Sequence, residues 1–263
     1  MSGHSKWAKI KRAKGANDAK RGALFTKLGR NITVAASEGG GDPDMNFALR
    51  LAVDKAKAAN MPSDNIERAI KKGTGEGEKV QITRISYEAL GPGGTGIIID
   101  CQTDNTNRTV AEVRKLVESA GGKMVAVGSV SWQFEEKGLI TVIPAKVKKA
   151  EKYGAEDTWE QVDLEEAQLE LLETEGIEDM SESSAEDDDG NTYRVLEVLT
   201  DKTDFASVLK SIEEQTFRVE SAELVKVAKE QVALSDEDRK RLDAVVESLD
   251  DHDDVDSVWT NAA

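Results

Sequence analysis

The amino-acid sequence predicts an α+β multidomain protein with an N-terminal three-helix bundle plus two ferredoxin-like α+β domains, one inserted into the other. Three observations predict this. Three successive helices are read up to Gly73, the first and third from apolar residues at helical spacing. A glycine-rich linker, Gly73-Thr-Gly-Glu-Gly-Glu-Lys79, then leads into a region where apolar and polar residues alternate. Beyond residue 138 the signals run β-α-β-β-α-β, the ferredoxin-like order, whereas residues 80–134 supply only β-β-α-β. The helix and strand missing from the first set lie at 232–263, so the complete unit interrupts the incomplete one. The expected boundaries are a flexible basic arm over 1–16, a helical domain and linker over 17–79, a discontinuous domain of 80–134 plus 232–263, and an inserted domain over 135–231.

Element by element, residues 1–16 have no sustained apolar period and carry Gly3 and Gly15 near their ends. From Asn17 or Asp18 as N-cap, Leu24, Phe25, Leu28 and Ile32 form a helical stripe that Gly39-Gly40-Gly41 stops. A second helix is expected from Asp42-Pro43 to Asn60, since proline suits a first turn. A third opens at Pro62-Ser63, buries Ile66, Ala69 and Ile70, and closes on Lys71, Lys72 and Gly73. Ile85, Tyr87 and Ala89 alternate with polar neighbours, and a glycine-rich turn returns the chain through Ile97-Ile98-Ile99 as a hairpin. Thr109 and Glu112 have capping-box spacing ahead of a helix whose face is Val110, Val113, Leu116 and Val117, and 125–134 reads as the next strand. Later strands are expected at 139–143, 177–181, 193–199, 219–227 and 257–260. Helices separate most of them, one behind Asp163, one along Phe205, Val208, Leu209 and Ile212, and one behind Ser235.

The 263 residues carry 35 Lys plus Arg against 51 Asp plus Glu, a formal charge of −16. This average argues against a general binder of polyanions, but it hides two parts of opposite sign. Residues 1–79 hold 16 basic and 9 acidic side chains, and residues 80–263 hold 19 and 42. The single cysteine, Cys101, sits in an apolar run and is expected to be buried as a small hydrophobe, with no internal disulfide. No stretch reads as a signal peptide or a membrane span, so a cytoplasmic protein without membrane contact is expected.

Several chemistries fail on context. Gly91-Pro-Gly93-Gly-Thr-Gly96 spells a dinucleotide fingerprint, yet an Ile-rich strand follows where a helix is required, so the turn reads as structural. No phosphate-binding G-x-x-x-x-G-K-[ST] loop occurs. The acidic Glu186–Asp189 run lacks calcium-loop spacing and reads as a solvated hairpin tip. His4 and His252, the two histidines, sit apart with no cysteine cluster, so neither a zinc site nor a His-based catalytic couple is supported. Asp250-Asp-His252-Asp-Asp254 reads as a charged helix end and turn. No enzyme activity, cofactor or metal is expected.

The N-terminus differs. Lys6, Lys9, Lys11, Arg12, Lys14, Lys20, Arg21, Lys27 and Arg30 give nine cations within 33 residues, with Asp18 as the only acid. Trp7 lies among them, where its ring could stack on an exposed base. Cations interleaved with an aromatic in a flexible arm suit irregular or single-stranded RNA better than a uniform duplex, because unpaired bases expose their faces. These ten residues are the candidate nucleic-acid contacts.

The strings Gly3-His-Ser-Lys-Trp7, Asp18-Ala-Lys-Arg-Gly22, Asn60-Met-Pro-Ser-Asp-Asn-Ile-Glu-Arg-Ala-Ile-Lys-Lys-Gly73 and Thr103-Asp-Asn-Thr-Asn-Arg-Thr109 resemble the YebC/PmpR family along essentially the whole chain. Ala13 and Asn31 depart from the basic and acidic residues of that pattern. The resemblance implies a non-enzymatic, three-domain bacterial protein, described in some members as a promoter-binding transcriptional regulator and in others as a translation factor acting on ribosomes stalled at proline-rich stretches. The residues lean toward the second role, since no helix-turn-helix spacing is evident and an acidic body is repelled by duplex DNA. The expected partners are ribosomal RNA or tRNA and the ribosome, with promoter DNA as the alternative, for a monomeric protein.

Overall fold

The structure is a computed structural model that describes residues 18–76, 82–148, 158–186 and 191–263, with backbone alone at 18–21 and 186. The first helices are α1 (Asp18–Gly39), α2 (Phe47–Ala58) and α3 (Ser63–Gly73). Leu28, Ile32, Leu49, Val53, Met61 and Ile66 form their common core, so the three helices read from the sequence meet in one bundle. The second helix starts at Phe47 rather than at Asp42-Pro43. Asn46 supplies the reason: its side-chain oxygen accepts the Leu49 N–H at 3.1 Å, while its amide donates to the Ala35 and Gly40 carbonyls at 2.8 Å each.

The remaining elements are β1 (Thr83–Leu90), β2 (Gly96–Thr103), α4 (Thr106–Ser119), β3 (Lys123–Val125), β4 (Phe134–Lys148), β5 (Thr158–Gln161), α5 (Leu164–Leu172), β6 (Ile177–Glu186), β7 (Thr192–Asp201), α6 (Phe205–Glu214), β8 (Phe217–Ala228), α7 (Asp236–Asp250) and β9 (Val255–Thr260). The described residues fall into two compact units, 136–226 and the remainder. In the first unit β4-α5-β6 leaves room for β7, and β7-α6-β8 leaves room for β4, giving the ferredoxin-like arrangement β8-β4-β7-β6. Antiparallel pairing sets Lys137 opposite Asp201 and Val142 opposite Leu196. Strand β5, which no sequence pattern announces, pairs with β4 beyond that point, from Ala145 opposite Gln161 to Lys148 opposite Thr158. All four of its residues are exposed, so it has no alternating apolar signal.

The second unit holds the bundle and a four-stranded antiparallel sheet in the order β3-β1-β2-β9. Here β2-α4-β3 again brackets another strand, β1, so the spatial plan matches that of the inserted unit although β1 comes first in the chain. Along β2, Ile97, Ile98, Ile99 and Cys101 are all buried. Burial, with the charges of Asp100, Asp254 and Asp256 adding to it, pushes the Cys101 thiol up to about 12, so it is an inert core group. The G-x-G-x-x-G segment is a tight turn. Gly93 has φ +67°, and a Cβ there would lie 2.2 Å from Leu234 Cδ2, so glycine is required by the turn and by the approach of α7's leading segment.

Two further expectations are corrected. The helix after β2 starts at Thr106 with Asn105 as cap, its side chain accepting the Arg108 N–H at 3.1 Å, because Thr109 directs its hydroxyl elsewhere. The strand expected over 125–134 is instead the short β3, a loop, and the beginning of β4. Buried Glu88 accounts for the loop: its carboxylate accepts the N–H groups of Gly128 at 2.7 Å, Val130 at 2.5 Å and Ser131 at 3.2 Å, removing them from any ladder. Burial by itself would raise the Glu88 pKa, but these backbone donors hold it below the ordinary carboxylate value. Gly128, at φ +90°, lets the chain close around the carboxylate.

Candidate nucleic-acid interface

Of the candidate contacts, Lys6, Trp7, Lys9, Lys11, Arg12 and Lys14 lie outside the described residues. Lys20 and Arg21 fall in the first turn of α1, where the backbone alone is described. Lys27 and Arg30 can be placed, and both are committed to the fold. Lys27 Nζ donates to the Asp250 carbonyl. Arg30 Nη1 reaches the Gln102 carbonyl at 2.7 Å, the Asp253 carbonyl at 2.9 Å and Asp254 Oδ1 at 2.9 Å. The basic face expected on the first helix is therefore shortened: these two cations anchor α1 to the α7–β9 turn.

Asp254 is the hub of that anchor. It is buried and also accepts Thr109 Oγ1 at 2.7 Å, Arg108 Nη2 at 2.9 Å and Thr103 Oγ1 at 3.1 Å. Burial would raise its pKa, but the hydrogen bonds from Arg108, Thr109 and Thr103 and the Arg30 charge prevail and hold it at about 2. Asn31 belongs to the same contact, donating to Asp256 Oδ1 at 2.8 Å and accepting from Gln102 Nε2 at 2.6 Å. An acid at position 31 would set two carboxylates against each other here, whereas an amide can both give and accept.

Glu112, His252 and Asp254 bring potential metal-ligating atoms within 4.8 Å of one another. The hydrogen bonds argue against a metal there. His252 Nδ1 accepts the Asp254 N–H at 3.1 Å, so Nε2 carries the proton and donates to Glu112 at 3.0 Å. Neither ring nitrogen keeps a lone pair for an ion, and Asp254 is already shared by two guanidinium groups.

Other cations remain available to a partner. Arg68, Lys71 and Lys72 are exposed along α3, and none of them pairs with a carboxylate among the described residues. By sequence alone Lys71 and Lys72 read only as helix-terminating residues; the signal that could single them out is the absence of an apolar role for Arg68 between Ile66 and Ala69. Arg114, Lys115 and Lys123 are likewise exposed around α4 and β3. The Glu88-held loop adds an aromatic. Trp132 is 67% exposed, and its indole N–H is spent on the Ser129 carbonyl at 3.0 Å, which fixes the ring and leaves its faces open. Val127, 83% exposed, stands on the same loop.

Family models account for nearly all of this chain. Residues 5–76 match the TACO1/YebC protein N-terminal domain, and residues 82–262 match the TACO1/YebC second and third domain. The chain belongs to the TACO1/YebC family. A protein of Desulforapulum autotrophicum, named a probable transcriptional regulatory protein, is 44% identical over 262 residues, covering 100% of this chain and 96% of the relative. A protein of Treponema denticola with the same description is 46% identical over 99% of this chain and 96% of its own length. The crystal structure of a conserved hypothetical protein from Aquifex aeolicus superposes with a TM-score of 0.80 at 35% identity, covering 98% of this chain and 97% of that one. No helix among the described residues is long and apolar enough to cross a membrane.

Proposed function

We propose that this TACO1/YebC-family protein is a non-enzymatic, cytoplasmic regulator of gene expression that grips nucleic acid through its helical N-terminal region, with ribosomal RNA or tRNA on stalled ribosomes as the favoured target. The observation that carries the reading is the α3 row Arg68, Lys71 and Lys72, exposed and without carboxylate partners among the described residues, in a chain with 16 more acids than bases. Lysine and arginine left unpaired amid excess carboxylate are the groups a phosphate backbone would recruit. The arm residues Lys6, Lys9, Lys11, Arg12 and Lys14, with Lys20 and Arg21, would extend that row, and Trp7 and Trp132 would stack on unpaired bases. Stacking on exposed aromatics favours single-stranded or irregular RNA over duplex DNA. The carboxylate-rich inserted unit would keep the protein off nonspecific duplex.

A second reading, promoter DNA as the target, is favoured by the names of the relatives. In-cell crosslinking followed by sequencing of bound RNA and bound DNA separates the two. The expected result is crosslinks concentrated on ribosomal RNA or tRNA, abolished by Trp7→Ala and by changing Arg68, Lys71 and Lys72 to Glu. Reproducible enrichment at a few promoters sharing a sequence, with RNA at background, would replace this reading with the transcriptional one.

A further inference from the structure

The inserted unit contains a cleft where β5 and β7 follow one another along β4. Its volume is about 550 Å³, within the range of small-molecule sites, and its lining mixes apolar Ile143, Pro144, Val162 and Leu164 with polar Gln161 and Asp163. Tyr193, Arg194 and Arg218 complete the lining. Two guanidinium groups at one concavity are unexpected here, because residues 136–226 hold ten basic against 25 acidic side chains.

Arg218 is the informative residue. Its guanidinium lies 5.3 Å from the centre of the Trp159 ring, and it makes no ion pair with any carboxylate among the described residues. Cation–π contact with a half-exposed ring holds the fork in place while leaving its N–H donors for an acceptor. Arg194 is bridged to Glu182 at 2.7 Å, so its charge is shared. Two acids stand close by, and Asp163 is itself part of the lining. Asp163 caps α5 through the Glu165 N–H at 2.9 Å, and Glu220 accepts the Tyr193 hydroxyl at 2.5 Å, which fixes that ring. An anion entering the cleft would thus meet the Arg218 fork, which pairs with no carboxylate among the described residues, the shared Arg194 fork and a positioned aromatic, with the Asp163 carboxylate also in the lining.

We propose that this cleft binds one unpaired nucleotide, its base against the apolar side chains of the lining and Tyr193 and its phosphate on Arg218. A flat ring joined to an anion is the chemistry that uses both halves of the site, and a guanidinium fork matches phosphate geometry. The choice of a nucleotide over another planar anion rests on the nucleic-acid reading above. The source is either a free nucleotide or an unpaired nucleotide of a bound RNA.

The test uses calorimetry on the full-length protein with AMP, GMP, CMP and UMP, with inorganic phosphate, benzoate and a five-nucleotide RNA as comparisons. The expected result is one site per chain for at least one nucleotide and much weaker binding of phosphate and benzoate. Removal of a charge-assisted bond predicts about tenfold or greater weakening in Arg218→Met. Arg218→Lys, which keeps the charge but not the fork, should be intermediate at unchanged thermal stability. Competition between the short RNA and the mononucleotide assigns the site to RNA; binding of the mononucleotide alone assigns it to a free metabolite. No heat from any nucleotide, affinity unchanged in Arg218→Met, or benzoate binding as tightly as the nucleotides would each overturn the proposal. Salt-dependent RNA binding through Arg68, Lys71 and Lys72 is measured separately on the same variants, so failure of the cleft reading leaves the first reading standing, and the reverse.

Discussion

Replacing Asp254 by Asn tests the anchor between α1, α4 and the α7–β9 turn. The native carboxylate is buried, and its pKa falls from 3.8 to about 2. At about 1.36 kcal/mol per pKa unit, this shift corresponds to roughly 2 kcal/mol of folding stability at neutral pH. The sign is that of a depressed acid: the contribution is fully present above the unfolded value of 3.8 and is lost as pH falls through about 2. The Asn variant keeps one acceptor oxygen for the hydroxyls of Thr103 and Thr109 but leaves Arg30, 22% exposed at its side chain, without its counter-ion. Breaking a buried pair costs about 3–5 kcal/mol, and Arg108, at 46% exposure, recovers water and lowers that figure, so a loss of about 2–3 kcal/mol is expected at pH 7. Native-state hydrogen exchange of α4 and β9 amides reads this local stability without assuming that the whole chain unfolds in one step. The variant should exchange faster at neutral pH, and the difference from the native protein should shrink between pH 4 and pH 2. A difference below about 0.5 kcal/mol, the scale of an ordinary surface substitution, or one independent of pH, would refute the account of Asp254 as a charged hub.

The remaining predictions concern other sites. Glu88→Gln puts an amide donor where three backbone N–H groups converge; about 1–3 kcal/mol of local stability should be lost, visible as faster exchange at Gly128, Val130 and Ser131. Gly93→Ala forces a Cβ against Leu234 at a positive φ and should lower the melting temperature by an amount corresponding to about 1 kcal/mol or more; an unchanged melt would show that the turn relaxes freely. Changing Lys6, Lys9 and Lys11 to Gln should flatten the log-log salt dependence of RNA binding by about 0.7 for each single-strand phosphate that is no longer neutralised, and an unchanged slope would remove the arm from the interface. Trp132→Ala should weaken binding of unpaired RNA by about 1–3 kcal/mol while leaving duplex DNA binding unaltered.

Local pattern carried much of the architecture. The three helices ending at Gly73, the hairpin into Ile97-Ile98-Ile99 and the β-α-β-β-α-β run were legible because periodicity, caps and glycine stops are properties of near neighbours in the chain. Asp163 and Ser235 cap their helices as the sequence suggests, since an N-cap is decided within four residues. What required the tertiary structure were the groups whose partners are far away in sequence. Glu88 reads as one more polar residue of an alternating strand, yet some 40 residues later its carboxylate gathers three backbone donors and turns an expected strand into a loop that holds Trp132 outward. Asp254 lies in an acidic run that reads as a charged helix end and turn, and only the approach of Arg30, from 224 positions earlier, and of Arg108 makes it a buried ion. The same approach commits Arg30 and Lys27 to the fold, while Arg68, Lys71 and Lys72 pair with no carboxylate among the described residues. Composition counts charges, but pairing distances decide which of them remain available to a phosphate.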